Sequence, residues 1–290
     1  MSKGIFIMKD AVVVAGNGPS LKNIDYTKLP IEYDVFRVNR FYHEEKYYLG
    51  KNIKAVFHIP HHFFDEYHTM QQLVFSNEYN IENIICKMYN FADRKEKIFR
   101  ENFKYFFPLA SNGYDEYFSR LVKLSAKLDY DSCYLGNRIE MLTGTYAIAC
   151  AVACGYKEIY LAGMDFCDKK YLYSNGQEVI DPNNEFIHNY NFDIQILNYL
   201  KNEYNAKIFS VCPNSTINKY IMLSELNNKI IYNITERIEG AIKKPLLPNL
   251  SVRKRYKRIY LEANPFVNLF YGFLRTPRAL KHYLSSKFYR

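Results

Sequence analysis

Few residues in this chain have types and spacings suited to chemistry, and they lie far apart. Gly16-Asn17-Gly18-Pro19-Ser20 directly follows the apolar run Ala11–Ala15. Glycines at such a turn let backbone N–H groups approach an anion, as happens where a strand hands over to a helix beneath a phosphate. The pattern is not the dinucleotide fingerprint, because Pro19 and Ser20 intrude and no third glycine follows. An ordinary strand-to-helix turn is the competing reading. Further on, Ile159–Ala162 runs into Gly163-Met164-Asp165. An acid just past the carboxyl end of a buried strand is placed to hold a ribose or base. Cys167 stands where a second acid would complete a D-x-D metal clamp, and only Asp168 could serve as an irregular partner. No metal is therefore expected. His188 precedes the helical pattern Asn189–Tyr204, and a neutral imidazole there could act as a general base. A structural histidine at a helix start is the plainer alternative.

Positioning such groups takes a regular framework, and the hydrophobic pattern supplies one. Ala11–Ala15 is β-branched and continuous, as expected of a strand buried on both faces. Similar runs occur at 33–38, 53–59, 84–88, 158–162 and 207–211, with amphipathic stretches at 144–154 and 193–204. The alternation predicts an α/β fold: a single Rossmann-like domain over residues 1–240, with a mostly parallel sheet flanked by helices. Residues 167–188 are polar and rich in turn formers, which predicts a short lid inserted over a ligand crevice.

Pro245 and Pro248 mark a boundary, and residues 241–290 read as a basic, aromatic C-terminal tail. Residues 251–290 hold ten Lys or Arg and one acid, Glu262, so they carry the whole net charge of +9. The first 250 residues balance at 29 basic against 29 acidic, which argues against nucleic-acid binding by the body. In the tail, basic residues interleave with Phe266, Leu269, Phe270, Phe273 and Leu274, a composition suited to an anionic membrane surface. Packing of those aromatics on the body or on another subunit is the alternative. No run approaches a transmembrane span, and Gly4–Met8 is too short for a signal-peptide core. The six cysteines show no C-x-x-C pair, and several lie in apolar runs, so reduced buried thiols are expected. Together these features predict a cytoplasmic protein in peripheral contact with the inner membrane.

The motifs in order carry a resemblance. Ala15-Gly16-Asn17-Gly18-Pro19-Ser20-Leu21, Phe36-Arg37-Val38-Asn39 and Tyr47-Tyr48-Leu49-Gly50-Lys51 come first. They are followed by the segment Gly155–Phe166, His188 with Asp193-Ile194, and Cys212-Pro213-Asn214-Ser215. This succession resembles the bacterial lipo-oligosaccharide sialyltransferases of glycosyltransferase family 42 over nearly the whole chain. The resemblance implies a metal-free, inverting transfer of sialic acid, or a related nonulosonic acid, from its CMP donor. The acceptor would be a galactose or sialic acid hydroxyl on a lipo-oligosaccharide, and the enzyme a homotetramer. It implies His188 as the base, Tyr173 as a lid phenol on the departing phosphate, and Arg138 as a site arginine. Asn17, Gly18 and Asn39 would meet the phosphate and ribose, Gly163 and Asp165 the nucleoside, and Thr143 and Gly144 the sugar carboxylate.

Departures from the family pattern cluster around the sugar. Cys167 replaces a first lid tyrosine, and Arg40 and Ile59 replace amides that read the sugar's substituents. Two residues are inserted within Glu140-Met141-Leu142, and the lid is shorter. A different CMP-activated 2-keto sugar such as Kdo, or a catalytically silent CMP-binding assembly protein, therefore stays open.

Overall fold

A computed structural model describes residues 9–89, 99–135, 140–166, 190–229 and 265–288, with single residues and short stretches between 232 and 251. The chain forms two compact units: Met1–Asn90 with Leu109–Leu247, and Phe91–Pro108 with Pro248–Arg290. Nothing in the sequence groups the first of the latter segments with the tail.

The larger unit is built on seven strands: β1 (Ala11–Ala15), β2 (Asp34–Val38), β3 (Asn52–His58), β4 (Asn80–Cys86), β5 (Ala110–Asn112), β6 (Glu158–Ala162) and β7 (Lys207–Ser210). They pair in the order β5-β4-β3-β2-β1-β6-β7, and every pairing is parallel. β2 to β5 therefore follow one another outward from β1 in one direction, and the chain then returns to place β6 on the other side of β1. The strand order reverses at β1, and in open parallel sheets the ligand crevice lies at the carboxyl ends of the strands beside such a point. All five residues of β1 are buried, and each valine contributes about 1.5–3 kcal/mol through burial.

The longer helices described in this unit are α1 (Phe63–Phe75), α2 (Val122–Leu135), α3 (Thr143–Cys154) and α4 (Tyr190–Glu203); α1 packs on β4, and α4 packs on α3. The first nine residues of α3 are buried, and its small alanines let it lie close on β1, β2 and β3. It ends at Gly155, whose φ of 88° supplies the left-handed residue that turns the chain into β6. Tyr146 anchors its middle: the ring stacks on Phe118 at 5.1 Å, and the phenol donates to Met88 O at 2.8 Å.

The smaller unit contains a trio of rings in edge-on and tilted contact, Phe99, Phe103 and Phe107, and the helix α5 (Pro265–Phe288). Leu269, Phe273, Leu274 and Leu280 on α5 are each 57–70% exposed. Among the described residues no helix is long and apolar enough to cross a membrane. Cys86, Cys150, Cys154 and Cys212 are free thiols, three of them buried. Burial pushes Cys154 and Cys212 up to about 11, so both stay protonated and unreactive near neutrality.

His58, the last residue of β3, is fully buried and neither ring nitrogen has a hydrogen-bond partner. Burial holds its imidazole down at about 3, against 6.5 in the unfolded chain. Below pH 6.5 the unfolded state takes up a proton that the folded state refuses, so His58 removes stability as pH falls from about 6.5 towards 3. His58→Leu is expected to flatten this acid limb. Relative to wild type, the variant gains about 3 kcal/mol between pH 7 and pH 4 in denaturant unfolding. A pH-independent difference would show that His58 is protonated or hydrated in the fold.

Candidate active site

The crevice beside β1 and β6 is assembled by unusually close backbone approach. Gly16 N–H donates to Ala162 O and Gly18 N–H to Gly163 O, both at 2.9 Å. A Cβ on Gly16 would lie 2.4 Å from Gly163 O, and one on Gly18 2.4 Å from Asp165 Oδ2. Gly163 itself adopts φ +60°, a conformation glycine takes without strain. These glycines therefore let two loops touch, and the N–H groups of Gly16 and Gly18 are used within the protein instead of being presented to an anion. That corrects the simplest reading of the turn.

Asp165 fastens the same junction. Its carboxylate is 3% exposed, accepting from Ser20 N–H at 2.8 Å through Oδ2 and from the Ser215 hydroxyl at 2.9 Å through Oδ1. It ties the loops after β1, β6 and β7 together. Ser20 and Ser215 are thus part of the site's frame, a role no sequence spacing announced.

The neighbouring asparagines complete the rim. Asn17 donates through Nδ2 to Val38 O at 2.8 Å, which fixes its amide, while its buried Oδ1 has no partner in the protein. An orphaned acceptor at a crevice suits a ligand hydroxyl or amino group. Asn39 leaves β2 at φ 48° with its N–H on Phe57 O at 2.8 Å. Asparagine is among the few residues that accept this left-handed conformation.

Thr143 and Gly144 open α3 against this junction. A Cβ on Gly144 would stand 2.5 Å from Met164 Cε, so the helix start rests against the turn after β6 and a larger residue would have to push the end of that methionine aside. Behind the helix start, Asp193 of α4 accepts Leu142 N–H at 2.8 Å. Burial raises its carboxyl to about 6, and the Thr145 hydroxyl, the Leu142 N–H and the Lys87 ammonium pull it back down. Lys87 is itself buried, donating to Met141 O at 2.9 Å and pairing with Glu140 Oε2 at 3.1 Å. The segment Glu140-Met141-Leu142 is therefore gripped from both sides. Lys87 gave no sequence signal because it stands alone after an apolar run.

The fold thus brings together Asn17, Gly18, Asn39, Thr143, Gly144, Gly163 and Asp165, drawn from three strand ends and a helix start. His188, Tyr173 and Arg138 lie outside the described residues, as do Cys167 and the segment 167–188 expected to form a lid. The first described residues after His188 begin α4, whose Asp193 is anchored at the crevice.

Residues 10–287 match the family model of CST-I, alpha-2,3-sialyltransferase. The chain is similar in structure to the sialyltransferase CstII from Campylobacter jejuni in complex with cytidine-5′-monophosphate. The TM-score is 0.75 at 39% identity, covering 86% of this chain and 98% of the other. It is likewise similar to CST-II in complex with a trisaccharide acceptor and CMP (TM-score 0.75, 38% identity, 85% and 98% covered). The alpha-2,3-sialyltransferase from Campylobacter jejuni in apo form gives a TM-score of 0.76 at 37% identity, covering 91% of this chain and all of the other.

Proposed function

Because the chain belongs to the alpha-2,3-sialyltransferase family CST-I, we propose that its crevice binds a CMP-activated sialic acid and passes the sugar to a glycan hydroxyl. The observation that carries this is the switch-point junction of Gly16–Ser20 with Gly163–Asp165, lined by the unpartnered Asn17 Oδ1. CMP fills such a place with a ribose whose hydroxyls can donate to that oxygen. The relatives CstII and CST-II, solved with CMP and with an acceptor trisaccharide, support CMP as the nucleotide of the donor.

His188 removes the proton of the acceptor hydroxyl as its oxygen attacks the anomeric carbon from the face opposite CMP. The bond to the phosphate oxygen breaks, the configuration inverts, and the electron pair leaves with CMP. Tyr173 donates to the departing phosphate, and Thr143 and Gly144 at the start of α3 receive the sugar carboxylate, where the helix dipole favours a negative charge. Asp165 acts by holding the loops, since internal donors engage both of its oxygens. No metal takes part in this scheme, which rests on the lack of a D-x-D clamp at the end of β6, where Cys167 stands two residues after Asp165.

The test is CMP release from a panel of CMP-sugars, with and without acceptor, in the presence of EDTA. Release from CMP-N-acetylneuraminic acid is expected at full rate in chelator. Release from CMP-Kdo alone would reassign the donor, binding without release would mark a silent CMP-binding protein, and loss restored by Mg²⁺ would overturn the metal-free scheme.

We further propose that the tail carries the enzyme to its lipid-linked acceptor. The exposed apolar side chains of α5 lie among the basic residues that hold the net +9, which suits an anionic bilayer. Removing residues 251–290 is expected to cut co-sedimentation with phosphatidylglycerol vesicles at least tenfold while CMP binding persists. Unfolding of the shortened chain would instead favour a packing role.

A further inference from the structure

Behind the crevice the chain crosses itself. After β2 it passes Asn39 and Arg40 and makes a tight turn through Phe41–His43 to Glu44. Residues 234–237, some two hundred positions later, lie along the far side of this turn: Tyr47 N–H donates to Thr235 O, and Lys46 pairs with Glu236.

Arg237 is the centre of that crossing. It is 7% exposed, and one nitrogen of its fork, Nη1, donates to the carbonyls of Tyr42 and Glu44. The other, Nη2, meets Glu78 Oε1 at 2.6 Å. The guanidinium lies over the rings of Tyr47 and Tyr79 at 5.5 and 5.6 Å. On the front of the same turn, buried Glu44 pairs with Arg37 at 2.8 Å, and Glu66 pairs with Arg40 at 3.1 Å. The turn between crevice and interior is thus gripped at both ends by charges, and Arg237 is the member contributed by the C-terminal segment.

We propose that Arg237 is a positioning residue for donor binding, one that clamps the back of the Arg40–Glu44 turn and so fixes Asn39, directly before it, at the crevice. The proposal rests on the reading of that crevice as the donor site. Such a clamp matters to Asn39, which accepts φ 48° more readily than most residues but at a cost that its surroundings must offset. Arginine is required by geometry: only a planar fork reaches two carbonyls and a carboxylate while lying on aromatic rings.

Arg237→Met is expected to raise the donor KM and the CMP Kd about tenfold while kcat with saturating donor stays within about twofold. Glu78→Gln removes the ion pair and keeps the fork on its carbonyls. It is expected to raise donor KM about threefold, and it decides the matter if Arg237→Met does not fold. Asn228→Ala is the control for mere destabilisation, because Asn228 ties a neighbouring part of the segment to Thr27 O and Leu29 O, away from the turn. It is expected to lower Tm and leave donor KM unchanged. Unchanged donor KM in folded Glu78→Gln and Arg237→Met, or an equal rise in Asn228→Ala, would overturn the proposal. Wild-type protein that binds no CMP would remove the donor-site reading itself, and this inference with it.

Discussion

Replacing Gly18 by alanine is expected to abolish measurable CMP binding, raising Kd at least a hundredfold. The backbone is not the obstacle, because Gly18 has φ −72°, which any residue adopts. The obstacle is contact: the added carbon falls 2.4 Å from Asp165 Oδ2 and 2.8 Å from Gly163 O. Neither oxygen can give way freely, since Ser20 and Ser215 hold the carboxylate and Gly18's own N–H holds the carbonyl. Overpacking of a close-packed junction costs about 1–3 kcal/mol. Turning the carboxylate off either partner adds about 1.5–3 kcal/mol, the worth of a hydrogen bond to a charged group. The sum exceeds what a CMP site can absorb without rearranging. Calorimetric titration with CMP, paired with a melting curve, reads both consequences. Gly155→Asn is the control: that position has open space around it and lies at the far end of α3, so it is expected to leave CMP binding intact. An alanine variant that binds and melts like wild type would mean that the ends of β1 and β6 are not in contact.

His188→Ala is expected to lower kcat for transfer by about 10²–10⁴ with CMP affinity nearly unchanged, the range typical for loss of a general base. In the proposed scheme the base meets the acceptor hydroxyl and CMP lies on the loops after β1, β2 and β6, so binding and chemistry separate in this variant. Retention of more than about a tenth of wild-type kcat would assign the proton transfer elsewhere.

The sequence discloses those parts of this protein whose causes are local. β1 and β6 are legible because a buried parallel strand must be apolar throughout, and the loops after them because each needs glycine at a close approach. The start of α3 at Thr143 is legible to within one residue. β5 is not, because Ala110-Ser111-Asn112 is too short to show a period and contains no β-branched residue. What the glycines do was also hidden: the turn is rich in N–H groups, but which of them are used internally depends on β6, almost 150 residues away. Arg237 with Glu78 and Glu44, and Asp165 with Ser20 and Ser215, are likewise partnerships across long stretches of chain. His58 looked like any polar residue ending a strand, and only the packing shows that its imidazole has no partner.

The position of β6 also determines when during synthesis the crevice can exist. Its register partners on β1, Val12 with Ile159 and Val14 with Leu161, come from opposite halves of the chain. β1 to β5 can pair in order as they emerge from the ribosome, each beside the strand before it. One long edge of β1 then remains open until residue 162 has emerged, roughly ten to thirty seconds at ordinary translation rates. Throughout that interval the most apolar strand of the sheet has an unpaired edge, the kind of surface on which chains pair with one another by mistake. Slower elongation before β6 would lengthen this exposure, so soluble yield is expected to depend more on the codons that precede residue 158 than on those of the tail.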